Sequence, residues 1–555
     1  MILSHSFKSQ KIMKTINEIA NLVGLEAAVR FRCSASICKA FRKMRFMDKF
    51  PAAWGMDSFP YLALVFALPL LLLLKYKKKS RLPPGPLGWP IVGNLIQIVL
   101  SNQNFQDYIE KGQGKYGPIF TIRFGPQLLI IVASRELAHE ALIHKGAVFA
   151  GRPPAKGFRK LFSGNQMNIN SSTYGPVWRT LRRNLVSETL SSAALKSFRE
   201  GREWSLHLLI QGLKTEAAQN EGVVKLIEHV KHASFCLLLY MCFGLQLEEN
   251  EVRKVKGVMR ELLLSGAGVK LEDTFPFLEV FYRKRREQML GIYRRQLETL
   301  AALINRRRAE LAEGTGKDCR AYVDSLFSLT VDGGRFLTEQ EMVCLCSEFI
   351  NGGTDTTTTT IQWAMANLVK NSHVQTKLYD EIVGVVRKEG ANLVEEEEKL
   401  SGMKYLEAVV KEVLRRHPPG KFVLSHAVTE DASLGGYDIP AGALVNFCVG
   451  LMGNDPQEWK NPAEFVPERF MQEEVDLTGG KGIKMMPFGV GRRICPGLGL
   501  ALLHVEVIVA TLVQKFEWQS KAGETVDLAE MEEFTVVMKN PLQAVIKERA
   551  SAPGY

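Results

Sequence analysis

The chain has 555 residues, enough for two to four average domains or for one large fold. Its 46% hydrophobic and 23% charged residues exclude a disordered or collagen-like chain and predict a globular protein with a sizeable core. The net charge of +12 favours an acidic protein partner or an anionic membrane surface. We expect no nucleic-acid partner, because the basic residues are spread along the chain without a nucleic-acid-binding motif.

The first strongly patterned segment is the uncharged apolar run Phe59–Leu74, and five Lys or Arg residues follow it between positions 75 and 81. The run is slightly shorter than the ~20 residues that span a bilayer. No small-residue cleavage pattern follows it, which favours a membrane anchor with its basic flank over residues 57–81 instead of a cleaved signal peptide. The basic flank predicts that the rest of the chain faces the cytosol.

Residues 1–56 form a basic extension, with ten Lys or Arg residues and three acidic residues among the first 50. Two interpretations stay open. The extension is an organelle-targeting segment, or it reflects an over-long start of translation, with Met56 as the natural first residue. We favour the second, which N-terminal sequencing of the native protein would contradict by finding residues before Met56.

Residues 82–90 begin with Leu82-Pro83-Pro84-Gly85-Pro86, and the prolines predict a stiff hinge before a domain over residues 91–555. In that domain, residues 118–132 predict a β-hairpin turning at Gly125-Pro126. Most later segments have helical periodicity, and short strand-like segments return near 422–429, 437–447 and 535–547. We therefore predict a mainly α fold with small β-sheets. The predicted helices cover residues 135–144, 176–188, 195–214, 223–243, 284–313 and 338–371.

Nine cysteines occur singly, without any C-x-x-C pair. This spacing argues against a disulfide framework or a zinc ribbon. Reduced and mostly buried thiols are the simplest interpretation.

The helix predicted to begin with a capping box at Thr338 and Glu341 contains Gly352 and Gly353. Mid-helix glycines cost about 1 kcal/mol each relative to alanine, and the threonines after Asp355 are poor helix formers. The pair either marks a helix break or lets a flat ligand lie against the helix. In the second case, Asp355 and Thr356 can hold water and relay protons.

Two side-chain pairs have helical spacing. Trp178 and Arg182 share a face and can both donate to one anionic group. Glu412 and Arg415 form a helical ion pair that Arg469 can join from a later segment. Taken alone, each pair is more typical of a protein surface.

The segment Pro487–Gly497 surrounds Cys495 with glycines and with Arg493, just before an apolar helical run. Backbone N–H groups of the loop and the following helix point at the sulfur, which predicts a lowered thiol pKa. The pattern favours a metal-binding thiolate over a buried structural cysteine.

The loop pattern Phe-x-x-Gly-x-Arg-x-Cys-x-Gly resembles the cysteine-ligand loop of cytochromes P450, and family motifs follow in order from Leu82 to Ala544. The resemblance implies the cytochrome P450 fold and a haem b cofactor whose iron Cys495 binds. It implies protonation by Asp355 and Thr356, and a structural network of Glu412, Arg415 and Arg469. The other cofactor-binding residues it implies are Trp178, Arg182, Arg493 and His426 at the haem propionates, with Phe488, Gly491, Gly497 and Gly353.

The same resemblance implies a monooxygenase that inserts one atom of dioxygen into a lipophilic small molecule. Electrons would come from NADPH through the flavins of NADPH-cytochrome P450 reductase, at the endoplasmic reticulum membrane. The chain looks most like a plant microsomal member, near branches that hydroxylate fatty acids or oxidise chlorophyll catabolites. The implied pocket walls are residues 158–170, residues 422–424 and the helix face at Gly352.

Two alternatives have different chemistry. A haem-thiolate isomerase or dehydratase acting on peroxides needs neither a reductase nor the pair Asp355 and Thr356, so their presence disfavours it. A non-catalytic haem-binding membrane protein is the other. Lys421 and Ser425 depart from the family pattern, which often has His and Pro there, and they affect substrate inference more than haem binding.

Overall fold

A computed structural model of the protein describes residues 81–549, except 90–91, 102, 267–282, 316–318, 387–392, 395–396 and 401. The predicted basic extension and all of the predicted anchor before Arg81 lie outside the described residues. Within the described part helices predominate and the sheets are small, which confirms the predicted fold class.

The described helices are numbered in chain order, and α3 and α5 each continue into one π-helical turn. They are α1 (Leu95–Leu100), α2 (Phe105–Tyr116), α3 (Arg135–His139), α4 (Phe158–Phe162), α5 (Pro176–Leu185), α6 (Ser192–Ser197), α7 (Arg199–Gln219), α8 (Leu226–Phe243), α9 (Glu249–Gly266), α10 (Arg283–Ala312), α11 (Tyr322–Phe327), α12 (Glu339–Lys370), α13 (Ser372–Val385), α14 (Glu397–Leu400), α15 (Lys404–Arg416), α16 (Val449–Gly453), α17 (Arg469–Gln472) and α18 (Leu498–Lys515).

The strands form a four-stranded sheet in the order β1-β2-β9-β6, a three-stranded sheet in the order β10-β13-β3, and the pairs β4-β5, β7-β8 and β11-β12. They are β1 (Ile119–Phe124), β2 (Gln127–Val132), β3 (Val223–Lys225), β4 (Thr330–Val331), β5 (Arg335–Phe336), β6 (His426–Ala427), β7 (Ala432–Leu434), β8 (Tyr437–Ile439), β9 (Leu444–Phe447), β10 (Phe516–Ser520), β11 (Glu530–Glu532), β12 (Val536–Met538) and β13 (Gln543–Glu548).

The predicted hairpin is present as β1 and β2, which pair antiparallel from Ile119 opposite Val132 to Phe124 opposite Gln127. Gly125 occupies the turn with φ +59°, a conformation that glycine adopts without steric cost. β2 also pairs in parallel with β9, and β9 pairs with β6. Local patterning predicted the hairpin, but the parallel pairing joins segments about 300 residues apart in the chain.

The proline-rich segment packs against β1 over its described residues. The Thr121 backbone N–H donates to the Pro84 carbonyl at 2.8 Å, and the Thr121 hydroxyl donates to the Pro83 carbonyl at 2.9 Å. A Cβ at Gly85 would lie 2.0 Å from the Thr121 carbonyl oxygen, so only glycine permits this approach. The segment is therefore held on the edge of the sheet and does not stand apart as a free spacer.

Helix α12 runs through the centre of the helical part and packs against α8 and α18. The predicted capping box is confirmed: the Glu341 N–H donates to Thr338 Oγ1 at 3.3 Å, and the Thr338 N–H donates to Glu341 Oε2 at 2.8 Å. The helix continues without interruption to Lys370, so the predicted alternative of a break at Gly352 and Gly353 is wrong.

Two described helices, α8 and α18, are long and apolar enough to cross a membrane by length and composition. Most of each helix is buried inside the protein. Their apolar side chains belong to the two largest hydrophobic clusters, which meet along α12. Burial in the core accounts for their composition.

Candidate active site

The loop before α18 is shaped by its glycines. Gly489 and Gly491 have φ values of +66° and +72°, and a Cβ at Gly491 would lie 2.1 Å from the Leu142 carbonyl oxygen. The chain then closes back on itself, because the Cys495 N–H donates to the Phe488 carbonyl at 2.9 Å. The loop therefore holds the thiol at the N-terminal end of α18, close to Gly497, where an added Cβ would lie 3.9 Å from the Cys495 sulfur.

Cys495 differs from the other cysteines that the structure describes. Six of these seven free thiols are buried, as predicted, whereas Cys495 is partly exposed. The thiol group of Cys495 is nevertheless largely desolvated, which raises its pKa, and the Gly497 N–H and the Arg182 charge only partly oppose the rise. The prediction of a lowered pKa is wrong for the polypeptide, because desolvation outweighs both effects. Deprotonation is therefore expected to accompany metal binding.

Cationic side chains surround the loop. Arg182 donates to the Ile494 carbonyl at 2.6 Å, so it holds the residue next to Cys495. Arg493 donates to the carbonyls of Ala150, Ile169 and Ser172. Burial, together with the nearby charges of Arg152 and Arg182, lowers the pKa of Arg493 to about 9. Like charges held this close favour an anionic partner.

Trp178 joins this cationic group from α5. The Arg493 guanidinium lies 4.6 Å from its ring centroid and that of Arg182 lies 5.5 Å away. Its indole N–H donates to the Ile169 carbonyl at 3.1 Å. The structure therefore brings together Trp178, Arg182 and Arg493, as the resemblance implied, although they bind backbone carbonyls here.

His426 lies on β6 and is buried. Its Nδ1 is 2.6 Å from the Phe149 carbonyl oxygen, so Nδ1 carries the proton and donates. Burial, and then the charge of Arg152, lowers the pKa of His426 to about 3. The imidazole is therefore neutral and can contribute a hydrogen bond but no charge to an anion.

The two mid-helix glycines of α12 face different surroundings. Gly352 is exposed, and no heavy atom lies within 4 Å of the position its Cβ would take. At Gly353 an added Cβ would lie 2.9 Å from the Leu238 side chain of α8. The open face predicted for a flat ligand is thus at Gly352, whereas Gly353 serves the contact between two helices.

The threonines that follow satisfy the helix backbone. Thr354, Thr356, Thr358 and Thr360 each donate a hydroxyl to the carbonyl four residues earlier, at 2.7 to 2.9 Å. Such bonds let hydroxyl side chains be buried in a helix without unpaired donors. The Thr356 hydroxyl bonds the Gly352 carbonyl and so lies beside the open face.

Asp355 forms an ion pair that the sequence did not predict. Lys231 Nζ on α8 lies 2.6 Å from Asp355 Oδ1. The Lys231 side chain is 32% exposed and that of Asp355 is 16% exposed. The pair therefore connects the acid of α12 with the protein surface.

Glu412, Arg415 and Arg469 also come together. Arg415 Nε and Nη2 donate to the two carboxylate oxygens of Glu412 at 2.7 and 2.9 Å, and Arg469 Nε lies 3.3 Å from Glu412 Oε1. Arg415 also donates to the carbonyls of Gly453, Pro462 and Glu464. This arrangement ties α15 to the segment that precedes α17.

The cytochrome P450 family profile matches residues 83–547. The chain belongs to the cytochrome P450 family. Cytochrome P450 89A9 of Arabidopsis thaliana is 41% identical over 502 residues, which are 88% of this chain and 97% of that protein. Isoflavone 3'-hydroxylase of Medicago truncatula is 30% identical and covers 88% of this chain and 96% of its own length.

A solved zebra fish cytochrome P450, described with progesterone, has the same fold. Its TM-score is 0.67 at 23% sequence identity, and the match covers 81% of this chain and 100% of that one. Family membership makes this chain a haem-dependent P450 monooxygenase, in agreement with the predicted fold, cofactor and enzyme class.

The residues of this P450 fit a haem. Cys495, the one described cysteine that is not fully buried, can bind iron, a cationic group can hold the anionic propionates, and the open face at Gly352 has room for a flat ring. Leu500, on the first turn of α18, shares a hydrophobic cluster with Phe349 and Ile350, one turn before Gly352. The cluster connects the start of α18 with the stretch of α12 that precedes Gly352 in this P450.

Residues 422–424, predicted as a pocket wall, point in different directions. The Phe422 ring lies 5.8 Å from that of Phe105, in a cluster around the four-stranded sheet. Val423 lies beside Gly489 of the thiol loop, with 3.6 Å between its Cγ1 and an added Cβ there, and Leu424 is 59% exposed. Phe422 therefore belongs to the scaffold of this P450 instead of a pocket.

Sequence reasoning did not predict the partners of three charged residues of this P450. Lys231 pairs with Asp355, Glu348 binds backbone near Trp178, and Lys421 Nζ lies 2.6 Å from Glu530 Oε2. The last contact accounts for one departure from the family pattern, because the buried Lys421 has its own carboxylate partner. The signals visible in the sequence were the unusual placement of Glu348 in an apolar helical stretch and the departure of Lys421 from the family pattern.

Proposed function

We propose that Cys495 binds the haem iron as a thiolate, and that the enzyme uses NADPH-derived electrons to hydroxylate a lipophilic small molecule. The carrying observation is the position of Cys495, the one described cysteine that is not fully buried, in a glycine-shaped loop that Arg182 holds at the N-terminal end of α18. When bound, the haem supplies the redox chemistry that transfers one atom of dioxygen to the substrate. The protein supplies binding, orientation and protons.

Trp178, Arg182, Arg493 and neutral His426 would hold the haem propionates. The geometric support is the convergence of two guanidinium groups on the Trp178 ring, where burial and the charges of Arg152 and Arg182 lower the pKa of Arg493. Phe488, Gly491 and Gly497 would surround the ligand sulfur, since they fix the loop that carries it.

Asp355 and Thr356 would deliver protons. The Thr356 hydroxyl donates its own hydrogen to the Gly352 carbonyl, which leaves its oxygen free to accept a hydrogen bond from water on the open face. Asp355 is ion-paired with the partly exposed Lys231. Rotation of the Asp355 carboxyl away from Lys231 would carry a proton between solvent and the interior. Lys231 acts through Asp355 and is a positioning residue.

The proposed substrate is lipophilic. Residues 158–170, Val423, Leu424 and the face of α12 around Gly352 would form the walls, and Phe158, Leu161 and Phe162 are among the apolar side chains they supply. The relative named isoflavone 3'-hydroxylase is a plant enzyme that acts on a small molecule. This similarity supports a small plant metabolite as the substrate.

The electron donor would be NADPH-cytochrome P450 reductase, and the enzyme would lie on the endoplasmic reticulum membrane. The net charge of +12 suits an acidic flavoprotein partner, since complementary charge accelerates encounter. The uncharged run at residues 59–74 with its basic flank supports a single anchor with the catalytic domain in the cytosol.

The carbon monoxide difference spectrum of the reduced protein tests the ligand. We expect a thiolate-type band in the wild type, its loss in Cys495→Ala and its retention in Cys344→Ala, which removes a buried thiol. A retained band in Cys495→Ala would overturn the assignment. Product formation that requires NADPH and reductase supports the reaction class, whereas product formed from a peroxide without either would favour the isomerase.

A further inference from the structure

Glu348 is a carboxylate on α12 that binds backbone outside its own helix. It lies one turn before Gly352 and so shares that face of the helix. Its Oε2 accepts the Ile169 N–H at 2.8 Å, and its Oε1 accepts the Asn170 N–H at 2.6 Å. Both oxygens of one side chain thus hold two successive peptide groups of the segment 158–170, which we propose as a pocket wall.

The same two residues are held through their carbonyls by cations and an indole. The Ile169 carbonyl accepts from Trp178 and Arg493, and the Asn170 carbonyl accepts from Arg152 Nε at 2.9 Å. The peptide group between Ile169 and Asn170 thus has an anion at its N–H and donors at its C=O, which polarise it in the same direction and strengthen each bond. Glu348 is therefore connected, through one short stretch of backbone, to the residues proposed to hold the propionates.

Arg152 connects these residues to the other proposed pocket wall, at Val423 and Leu424. Its Nη1 donates to the Leu424 carbonyl at 2.7 Å and to the Ser425 carbonyl at 3.0 Å. Glu348, Arg152 and Arg493 lie close enough for the two cations to favour the charged carboxylate, although burial raises the pKa of Glu348 to about 7. Both proposed walls thus depend on one group of facing charges.

Hydrogen bonds within the segment 158–170 and to its flanking residues have a different role. Gln166 accepts the Ala155 N–H at 3.0 Å and donates to the Ser171 carbonyl at 2.6 Å. Asn168 accepts the Ser171 N–H at 3.0 Å. These bonds fix the shape of the turn, but none of them reaches α12.

We propose that Glu348 is a positioning residue that holds the pocket wall 158–170 at a fixed distance from the open face of α12, and so determines how well a bulky ligand fits. This inference rests on the proposed function only where it names the segment as a pocket wall. The hydrogen bonds to Ile169 and Asn170 are its structural basis.

Hydrogen exchange of the full-length protein tests the contact directly. In Glu348→Ala we expect the peptide covering residues 165–172 to exchange roughly tenfold faster, because two charge-assisted bonds are lost. Glu348→Gln keeps one acceptor oxygen and should fall between the wild type and Glu348→Ala. Glu339→Ala removes an exposed carboxylate from the same helix and should leave this peptide unchanged.

Ligand binding to the haem protein tests the consequence. Imidazole is small and should bind with the wild-type Kd in every variant, whereas 1-phenylimidazole, which reaches the wall, should bind about fivefold more weakly to Glu348→Ala because the wall is no longer preorganised. Wild-type exchange in Glu348→Ala, or an equal change for both ligands, would overturn the inference. Absence of the thiolate band in the wild type would overturn the proposed function, and the exchange result would still decide the role of Glu348.

Discussion

Two ion pairs in this P450 have nearly the same length and opposite surroundings. Arg415 Nε lies 2.7 Å from Glu412 Oε2, and Lys231 Nζ lies 2.6 Å from Asp355 Oδ1. Glu412 and Arg415 are fully buried, whereas Lys231 and Asp355 are partly exposed. Distance alone therefore does not distinguish a bracing contact from one that can open.

The number of partners makes the difference. Arg415 donates to Glu412 and to three backbone carbonyls, so its movement would leave several buried acceptors unpaired. The structure gives Lys231 a single ion-pair contact, with Asp355, and solvent can replace either partner. The first pair is suited to fixing a loop, and the second is suited to moving a proton.

The largest expected effect comes from breaking the buried pair. Arg415→Met leaves the Glu412 charge without its main partner, and we expect a loss of about 3–5 kcal/mol in the free energy of unfolding. Little protein should retain the thiolate band, and thermal unfolding should begin at a lower temperature. Lys404→Met on the same helix removes a 68% exposed cation, and a comparable loss in that control would contradict the distinction.

Replacing Asp355, the acid of the partly exposed pair, should reduce catalysis without changing stability. Asp355→Asn cannot deliver a proton, so we expect product formation to fall about 100-fold with the thiolate band intact. Thr356→Ala should increase the NADPH consumed per product molecule, because oxygen is still reduced without productive protonation. Unchanged coupling in both variants would exclude the proton-delivery role.

A buried histidine extends the comparison to the effect of pH on stability. His417 stacks on Trp363 at 4.0 Å and its Nδ1 lies 3.1 Å from Glu530 Oε1. Burial lowers the pKa of His417 to about 4, below its unfolded value near 6.5. The folded state therefore binds fewer protons than the unfolded state between these values, and stability falls as the pH falls through this window.

We expect the His417 titration to lower the free energy of unfolding by about 1–2 kcal/mol between pH 7 and pH 5. Denaturant unfolding of His417→Asn should show a smaller difference between the two pH values than the wild type. Glu530, whose pKa is lowered to about 2, adds a loss only at more acidic pH. Equal pH dependence in both proteins would show that His417 does not titrate in this way.

The smallest expected effect comes from Lys231→Met. Asp355 keeps its carboxyl but loses the cation that orients it, so turnover should fall only several-fold, less than in Asp355→Asn. Stability should change by less than about 1 kcal/mol, as for other partly exposed pairs. A loss of stability as large as that of Arg415→Met would show that this pair is structural as well.

Local patterns in the sequence predicted the elements that depend on neighbours in the chain. The hairpin at Gly125, the capping box at Thr338 and the long helix through Gly352 follow from turn chemistry, capping and periodicity. The loop around Cys495 could be found because its glycines, arginine and cysteine lie within eleven consecutive residues. The proline-rich segment packs on β1 because contacts from distant residues decide its position, whereas helix α9 was missed although its apolar residues recur at helical spacing.

The sequence by itself therefore determined the fold class, and it pointed to the thiol, the acid and the alcohol that we propose for the site. The tertiary structure decided which partners those groups have. It placed Lys231 on Asp355, Glu348 on the backbone of Ile169 and Asn170, and Leu238 against Gly353, which left Gly352 as the open glycine. The physical reason is that burial and charge pairing depend on groups far apart in the chain, whereas periodicity and turn chemistry act between residues a few positions apart.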